Sequence, residues 1–121
     1  NDHPLTLIEH PDIASLARYS AVIAGPETYT GQIVTNLFRE HKLTLNVAMT
    51  TNYLETVSML VAIGQGWSIL PEQMVHGDLR AIEVKDLKLQ RDLGIVTHPS
   101  KPLSNAANAL VELLSAQQPA C

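Results

Sequence analysis

Cysteine is nearly missing from this 121-residue chain, the one example being the terminal Cys121. No intramolecular disulfide can form, which fits a reducing cytoplasm without proving it. Long hydrophobic runs are missing too. Nothing approaches the roughly 18 consecutive apolar residues that cross a bilayer, and the N-terminal stretch has no signal-peptide core, so no membrane association is expected. Positive charge is sparse: eight Lys and Arg, scattered along the chain, stand against twelve Asp and Glu for a net charge of −4. A nucleic-acid surface needs a basic face to neutralise phosphates, so direct binding of DNA or RNA by this stretch is not expected. Met is absent from the start, and "NDHPLTLIEHPDI" reads as the interior of a longer chain, so a fragment is expected.

Catalytic and metal signatures are also lacking. His3, His10, His41, His76 and His98 form no i, i+4 pair and no HExxH, so no zinc site is predicted. There is neither a G-x-S-x-G elbow nor a GxxxxGK[ST] loop. "GQG" at residues 64–66 follows a helical pattern and precedes an extended one. A dinucleotide fingerprint requires the reverse order, so these glycines read as a helix stop. Glu55, Glu72 and Glu83 lie in unrelated places, and no acid–base pair can be named. Neither an enzyme nor a cofactor is indicated.

What is present is an ordinary globular balance, 45% apolar and 17% charged residues, with helical and extended patterns in alternation. Asp12 caps a short helix over 12–19 that carries Ile13, Leu16 and Ala17 on one side. "SAVIAG" reads as a buried strand ending at Gly25-Pro26. Thr28 or Thr30 caps a helix reaching about His41, with Ile33, Val34, Leu37, Phe38 and His41 in one stripe. "TLNVAMT" is strand-like. A helix from about Asn52 to Ile63 is apolar nearly all round (Leu54, Val57, Leu60, Val61, Ile63) and is expected to be buried by more than one neighbour. Gly64 suits the left-handed position that ends it, and Gly66 allows a close backbone approach. "WSILP" reads as a buried strand stopped by Pro71, a helical turn follows near Glu72 to Val75, and "HGD" marks a turn. "LRAIEV" and "RDLGIVTH" read as further strands. Ser104 caps a last helix to about Ala116, with Ala107, Leu110, Val111 and Leu114 inward. Strands alternating with helices at these lengths predict an α/β fold whose mostly parallel sheet has helices on both faces.

One positive chemical signal remains. Hydroxyl residues gather where strands hand over to helices, "PETYTG" after the first and "MTTN" after the second. In open α/β sheets, ligands bind beyond the carboxyl ends of the strands, where helix N-termini offer free N–H groups. Thr28, Thr30 and Thr51 read more plainly as N-caps, each contributing about 1 kcal/mol. The two readings are compatible. His41 and Met59 have similarly plain readings, a dipole complement and a space-filler, and Trp67 reads as core rather than cleft.

"HPL" at 3–5, "SLARYSAVIA" at 15–24, "TYTGQIVTNLF" at 28–38, "ETVSMLVAIGQGWSILP" at 55–71 and "RDLGIVTHPSKPLSNAANALVELL" at 91–114 together resemble the effector-binding domain of LysR-type transcriptional regulators. The helix-to-strand unit E-x-x-x-x-L-V-A-x-G-x-G-x-x-x-L-P is the most specific piece. The resemblance implies a two-lobed, periplasmic-binding-protein-like (type 2) α/β architecture and a small-molecule effector in the cleft, such as an organic acid or amino-acid derivative. It implies that residues 1–91 are the second lobe, and that 92–121 hold a crossover strand and a helix rejoining the first lobe. The pocket residues it implies are Thr28, Tyr29, Thr30, Thr50 and Thr51, with Leu93 at the crossover.

The DNA-binding domain and the rest of the first lobe are absent from this sequence, so DNA contact is implied only through a domain outside it. A cytoplasmic homodimer without catalytic activity is the implied state. A lobe of a solute-binding transport protein is the alternative, and an enzyme on a related lobed scaffold is a third. With their sheet neighbours missing, the last strand and helix are expected to fold against this lobe or to be covered by a second chain.

Overall fold

The computed structural model describes residues 3–89 and 94–117. The chain divides into two compact units, one ending at Lys88 and the other beginning at Leu89.

In the first unit, a 3-10 turn over Pro4–Leu7 leads to a short helix α1 (Ile13–Ala17), then strand β1 (Ala21–Ile23), helix α2 (Tyr29–Glu40), strand β2 (Val47–Thr50) and helix α3 (Leu54–Ala62). Asp12 and Ser15 close α1 with a reciprocal capping box: the Ser15 N–H donates to Asp12 Oδ1 at 2.8 Å, and the Asp12 N–H donates to Ser15 Oγ. Because that cap favours the ionised carboxyl, Asp12 titrates below its ordinary value, chiefly through the Ser15 hydroxyl and N–H. Thr28 caps α2 by accepting the Gly31 N–H at 3.0 Å. At its other end, His41 Nδ1 lies 2.9 Å from the Leu37 carbonyl, a contact in which only the ring nitrogen can donate.

β1 is entirely buried and pairs in parallel with β2, Ala21 opposite Val47 and Ile23 opposite Thr50. On the other side of β1 stands Trp67, which takes one parallel bridge to Ala21: its N–H donates to Ser20 O at 3.1 Å, and its carbonyl accepts the Val22 N–H at 2.8 Å. The "WSILP" strand is thus reduced to a single bridge at Trp67, and Ser68, Ile69 and Leu70 are half-buried without a ladder. "LRAIEV" keeps the alternation expected of a strand, with Ile82 and Val84 packed on the core, but it joins no sheet. Apolar alternation decides which side is buried, whereas a strand needs a ladder of bonds to a neighbour's backbone, and here the described residues supply one bond just past its end, from the Lys85 N–H to Pro11 O. Of "RDLGIVTH", residues 91–93 lie outside the described residues, and 94–98 are not in a strand.

The core of this unit gathers Leu5, Ile13, Leu16, Ala21, Ile23, Val34, Phe38 and Trp67. Trp67 reads as core, as expected. Its indole stacks on Phe38 with ring centroids 5.8 Å apart, and Nε1–H is shared between the carbonyls of Leu16 and Tyr19, both at 3.0 Å. Gly66 beside it is needed because a Cβ there would overlap the Ser20 carbonyl oxygen.

α3 departs from expectation. Only Val57 is buried; Leu54, Leu60 and Val61 are half-buried, while Met59 and Ile63 are exposed. α3 packs on β1 through one face, and an apolar opposite face does not by itself recruit a second neighbour. Met59 is therefore not a core filler. The helix stops as the sequence predicts: Gly64 takes φ 87°, the Gly64 N–H donates to Val61 O, and the Gln65 N–H donates to Leu60 O, the paired bonds of a Schellman ending.

A further 3-10 turn, Glu72–Met74, and a turn at Gly77 follow. In the second unit, Ser104 caps helix α4 (Asn105–Ala116) by accepting the Ala107 N–H at 3.1 Å. Ala107 and Val111 are half-buried, but Leu110 and Leu114, expected inward, are exposed together with Leu113. Among the described residues, no helix is long and apolar enough to cross a membrane.

Candidate functional site

Two loops leave the carboxyl ends of the parallel strands side by side. The first, residues 24–28, runs from β1 to α2; the second, residues 51–53, runs from β2 to α3. One hydrogen bond ties the second loop to the end of β1, and two join the loops to each other. The Thr51 N–H donates to Ile23 O at 3.1 Å. The Gly25 N–H donates to Asn52 Oδ1 at 2.9 Å, and Asn52 Nδ2 donates to Glu27 Oε1 at 2.8 Å. One carboxamide thus spans both loops.

Thr28 faces inward along the first loop. Its Oγ1 donates to the Gly25 carbonyl at 2.7 Å while accepting the Gly31 N–H, so the hydroxyl closes the loop and caps the helix at once. Gly31 is buried against this loop: a Cβ there would overlap the Gly25 carbonyl oxygen and come within 2.8 Å of the Ala24 oxygen. The first turn of α2 can sit this close only without a side chain at that position. Tyr29 and Thr30 occupy the first two helical positions, Tyr29 exposed and Thr30 half-buried. Their N–H groups have no acceptor within the helix and lie at its positive end.

Thr50 closes β2 opposite Ile23 and is exposed; Thr51 is half-buried. Neither Thr30 nor Thr51 is a helix cap. The cap position of α3 is Tyr53, which makes no side-chain capping bond, and Thr51 Oγ1 accepts only a long 3.4 Å contact from the Tyr53 N–H. Residues 28–30 and 50–51 thus each flank a loop at the carboxyl end of the sheet, and the contacts between the loops run through Gly25, Glu27 and Asn52. Leu93 lies outside the described residues.

Sequence reasoning missed Glu27, Asn52 and Gly31. Asn52 reads as an ordinary helix-start residue, and nothing local shows that its amide reaches back 27 positions. The Glu27 carboxyl is held below its ordinary value, first by the Asn52 amide and then by its own backbone N–H. Residues 24–30 and 50–53 contain no Lys, Arg or His, so the loops carry one formal negative charge. Among the described residues, no three His, Cys, Asp or Glu side chains are grouped to hold a metal. A separate concavity, formed by other segments, is lined by Leu5, His10, Arg80 and Glu83 among others.

In open α/β sheets the loops beyond the carboxyl ends of parallel strands are where ligands bind. The chain belongs to the LysR substrate-binding domain family, whose model matches residues 1–119. In sequence it is 27% identical over 123 residues to the HTH-type transcriptional activator CmpR of Synechocystis sp., the match covering 98% of this chain. The chain spans 40% of the length of that relative. In structure it matches the effector-binding domain of QuiR, solved in complex with shikimate, with a TM-score of 0.71 and 19% identity over 92% of this chain and 54% of that one. The fold is accordingly the periplasmic-binding-protein-like (type 2) α/β fold expected from the sequence.

Proposed function

We propose that this chain is the effector-sensing part of a LysR-type transcriptional regulator, binding a small organic acid or amino-acid derivative without transforming it. The observation that carries the reading is the meeting of the two strand-to-helix loops, tied through Asn52 at the carboxyl edge of the sheet. Thr28, Tyr29, Thr30, Thr50 and Thr51 supply hydroxyls and helix-end N–H groups there. Residues 1–91 act as the second lobe, and 92–121 return toward the first. DNA is contacted by a separate domain, and the regulator works as a cytoplasmic homodimer. A relative that is a transcriptional activator favours this reading over a transport lobe.

Effector binding shifts the regulator only through unequal affinity for two arrangements of the paired subunits. The QuiR complex makes shikimate the first compound to try. Thermal denaturation of the chain against a panel of hydroxylated acids and amino-acid derivatives tests the reading. A compound at about ten times its Kd should raise stability by about 1.4 kcal/mol, and Thr28→Ala or Thr51→Ala should weaken that compound. Stabilisation that neither substitution changes would place binding elsewhere and overturn the site.

A further inference from the structure

The loop edge holds an exposed carboxylate, that of Glu27, in a fixed position over Gly25. Both Glu27 oxygens lie where a side chain on Gly25 would stand, so the carboxylate rests over the glycine Cα. Asn52 fixes it there, donating Nδ2–H to Oε1 while its own Oδ1 takes the Gly25 N–H. Glycine, glutamate and asparagine form one device: any Cβ at Gly25 evicts the carboxylate, and loss of the Asn52 amide releases it. Glu27 also sits two residues before the first residue of α2, at the helix end that favours an anion.

From this arrangement we infer that Glu27, positioned by Asn52, is a specificity-determining residue of the effector site, admitting a hydroxyl- or ammonium-bearing end of the effector and rejecting a carboxylate there. The inference rests on the effector-site reading above. The chain already supplies the anion that α2 attracts, and its two fixed partners, Asn52 and its own N–H, are uncharged. The carboxylate therefore keeps its full charge toward a ligand. The depressed Glu27 pKa agrees with this, since the group stays ionised throughout the neutral range. An organic acid bound here turns its carboxylate away from these loops and its hydroxyl or amino end toward them.

The test is a 15N NMR titration of the chain with three probes of equal carbon length: succinate, butanediol and diaminobutane. The amides of Gly25, Thr28 and Tyr53 report. Each unit charge brought within about 5 Å of Glu27 in a water-like dielectric changes affinity about fourfold. The expected order is diaminobutane tightest, butanediol next and succinate weakest, with the spread narrowing as salt is added. The isosteric Glu27→Gln variant should bring the three within about twofold of one another.

If succinate moves these amides as readily as diaminobutane in the wild type, the specificity assignment is overturned. It is overturned equally if the order is unchanged in Glu27→Gln, since the preference would then come from the chain's overall charge. Silence of these amides toward all three probes in both proteins overturns the effector site itself, and the specificity assignment with it.

Discussion

Replacing Gly31 by alanine sets two effects of opposite sign against each other. Alanine favours a helix over glycine by about 1 kcal/mol, so an exposed helical glycine is normally improved by the change. Gly31 is not exposed. Its Cβ would overlap the Gly25 carbonyl oxygen and stand 2.8 Å from the Ala24 oxygen, where ordinary contact starts at 3.4 Å. Both obstacles are backbone atoms at the end of a buried strand, so neither can swing aside. The first turn of α2 must move by roughly 1 Å or more to clear the Gly25 oxygen, at a cost of about 1–3 kcal/mol for overpacking.

The same movement pulls Thr28 Oγ1 off the Gly31 N–H and the Gly25 carbonyl, losing a cap of about 1 kcal/mol. The sum is a net destabilisation of about 1–3 kcal/mol, or a Tm lowered by about 5–15 °C for a unit of this size. Thermal denaturation followed by helical circular dichroism measures the first quantity, and the chemical shift of the Gly25 N–H, bonded to Asn52, reports the loop. A Gly31→Ala chain with an equal or higher Tm and an unmoved Gly25 amide would refute the argument. It would mean that helix propensity outweighs the contact.

Three further outcomes follow from other parts of the structure. Trp67→Phe leaves the carbonyls of Leu16 and Tyr19 without their shared donor and thins the stack on Phe38; a loss of about 2–4 kcal/mol is expected in denaturant titrations, and an unchanged midpoint would contradict the core described. His3 titrates below its ordinary 6.5 because burial disfavours the charged ring. The unfolded chain then binds the extra proton between the folded value and 6.5, so stability is complete above that window and falls as pH drops through it. His3→Gln should flatten this part of the stability profile, and an identical profile would remove His3 as its source. Leu110, Leu113 and Leu114 expose 57%, 61% and 48% of their surface along α4. Sedimentation should find the chain self-associated, with Leu110→Lys and Leu113→Lys together making it monomeric; a wild type monomeric at all concentrations would overturn the homodimer.

Much of this molecule was legible residue by residue. Asp12 and Ser104 cap the helices they were expected to cap, Thr28 is the one of two candidates that caps α2, and Gly64 ends α3 in the left-handed region. Those features depend on residues within four positions of one another, where backbone donors and short side chains settle the matter locally. The helix-to-strand wording at 55–71, read together with the segments at 3–5, 15–24, 28–38 and 91–114, likewise pointed to the family whose model matches residues 1–119.

Contacts between distant segments decided the rest. "WSILP" and "LRAIEV" have the composition of strands, yet ladder formation depends on which backbone lies alongside, and only Trp67 meets β1. The apolar surface of α3 says how much could be buried, while the position of β1 says that one face is. Asn52 illustrates the division most plainly. Its sequence position marks a helix start, and only the parallel pairing of β1 with β2 brings Gly25 and Glu27 within reach of its amide. Local chemistry determined where the helices begin and end; the register of two strands decided which side chains share the site, because hydrogen bonds over that separation exist only after the sheet has formed.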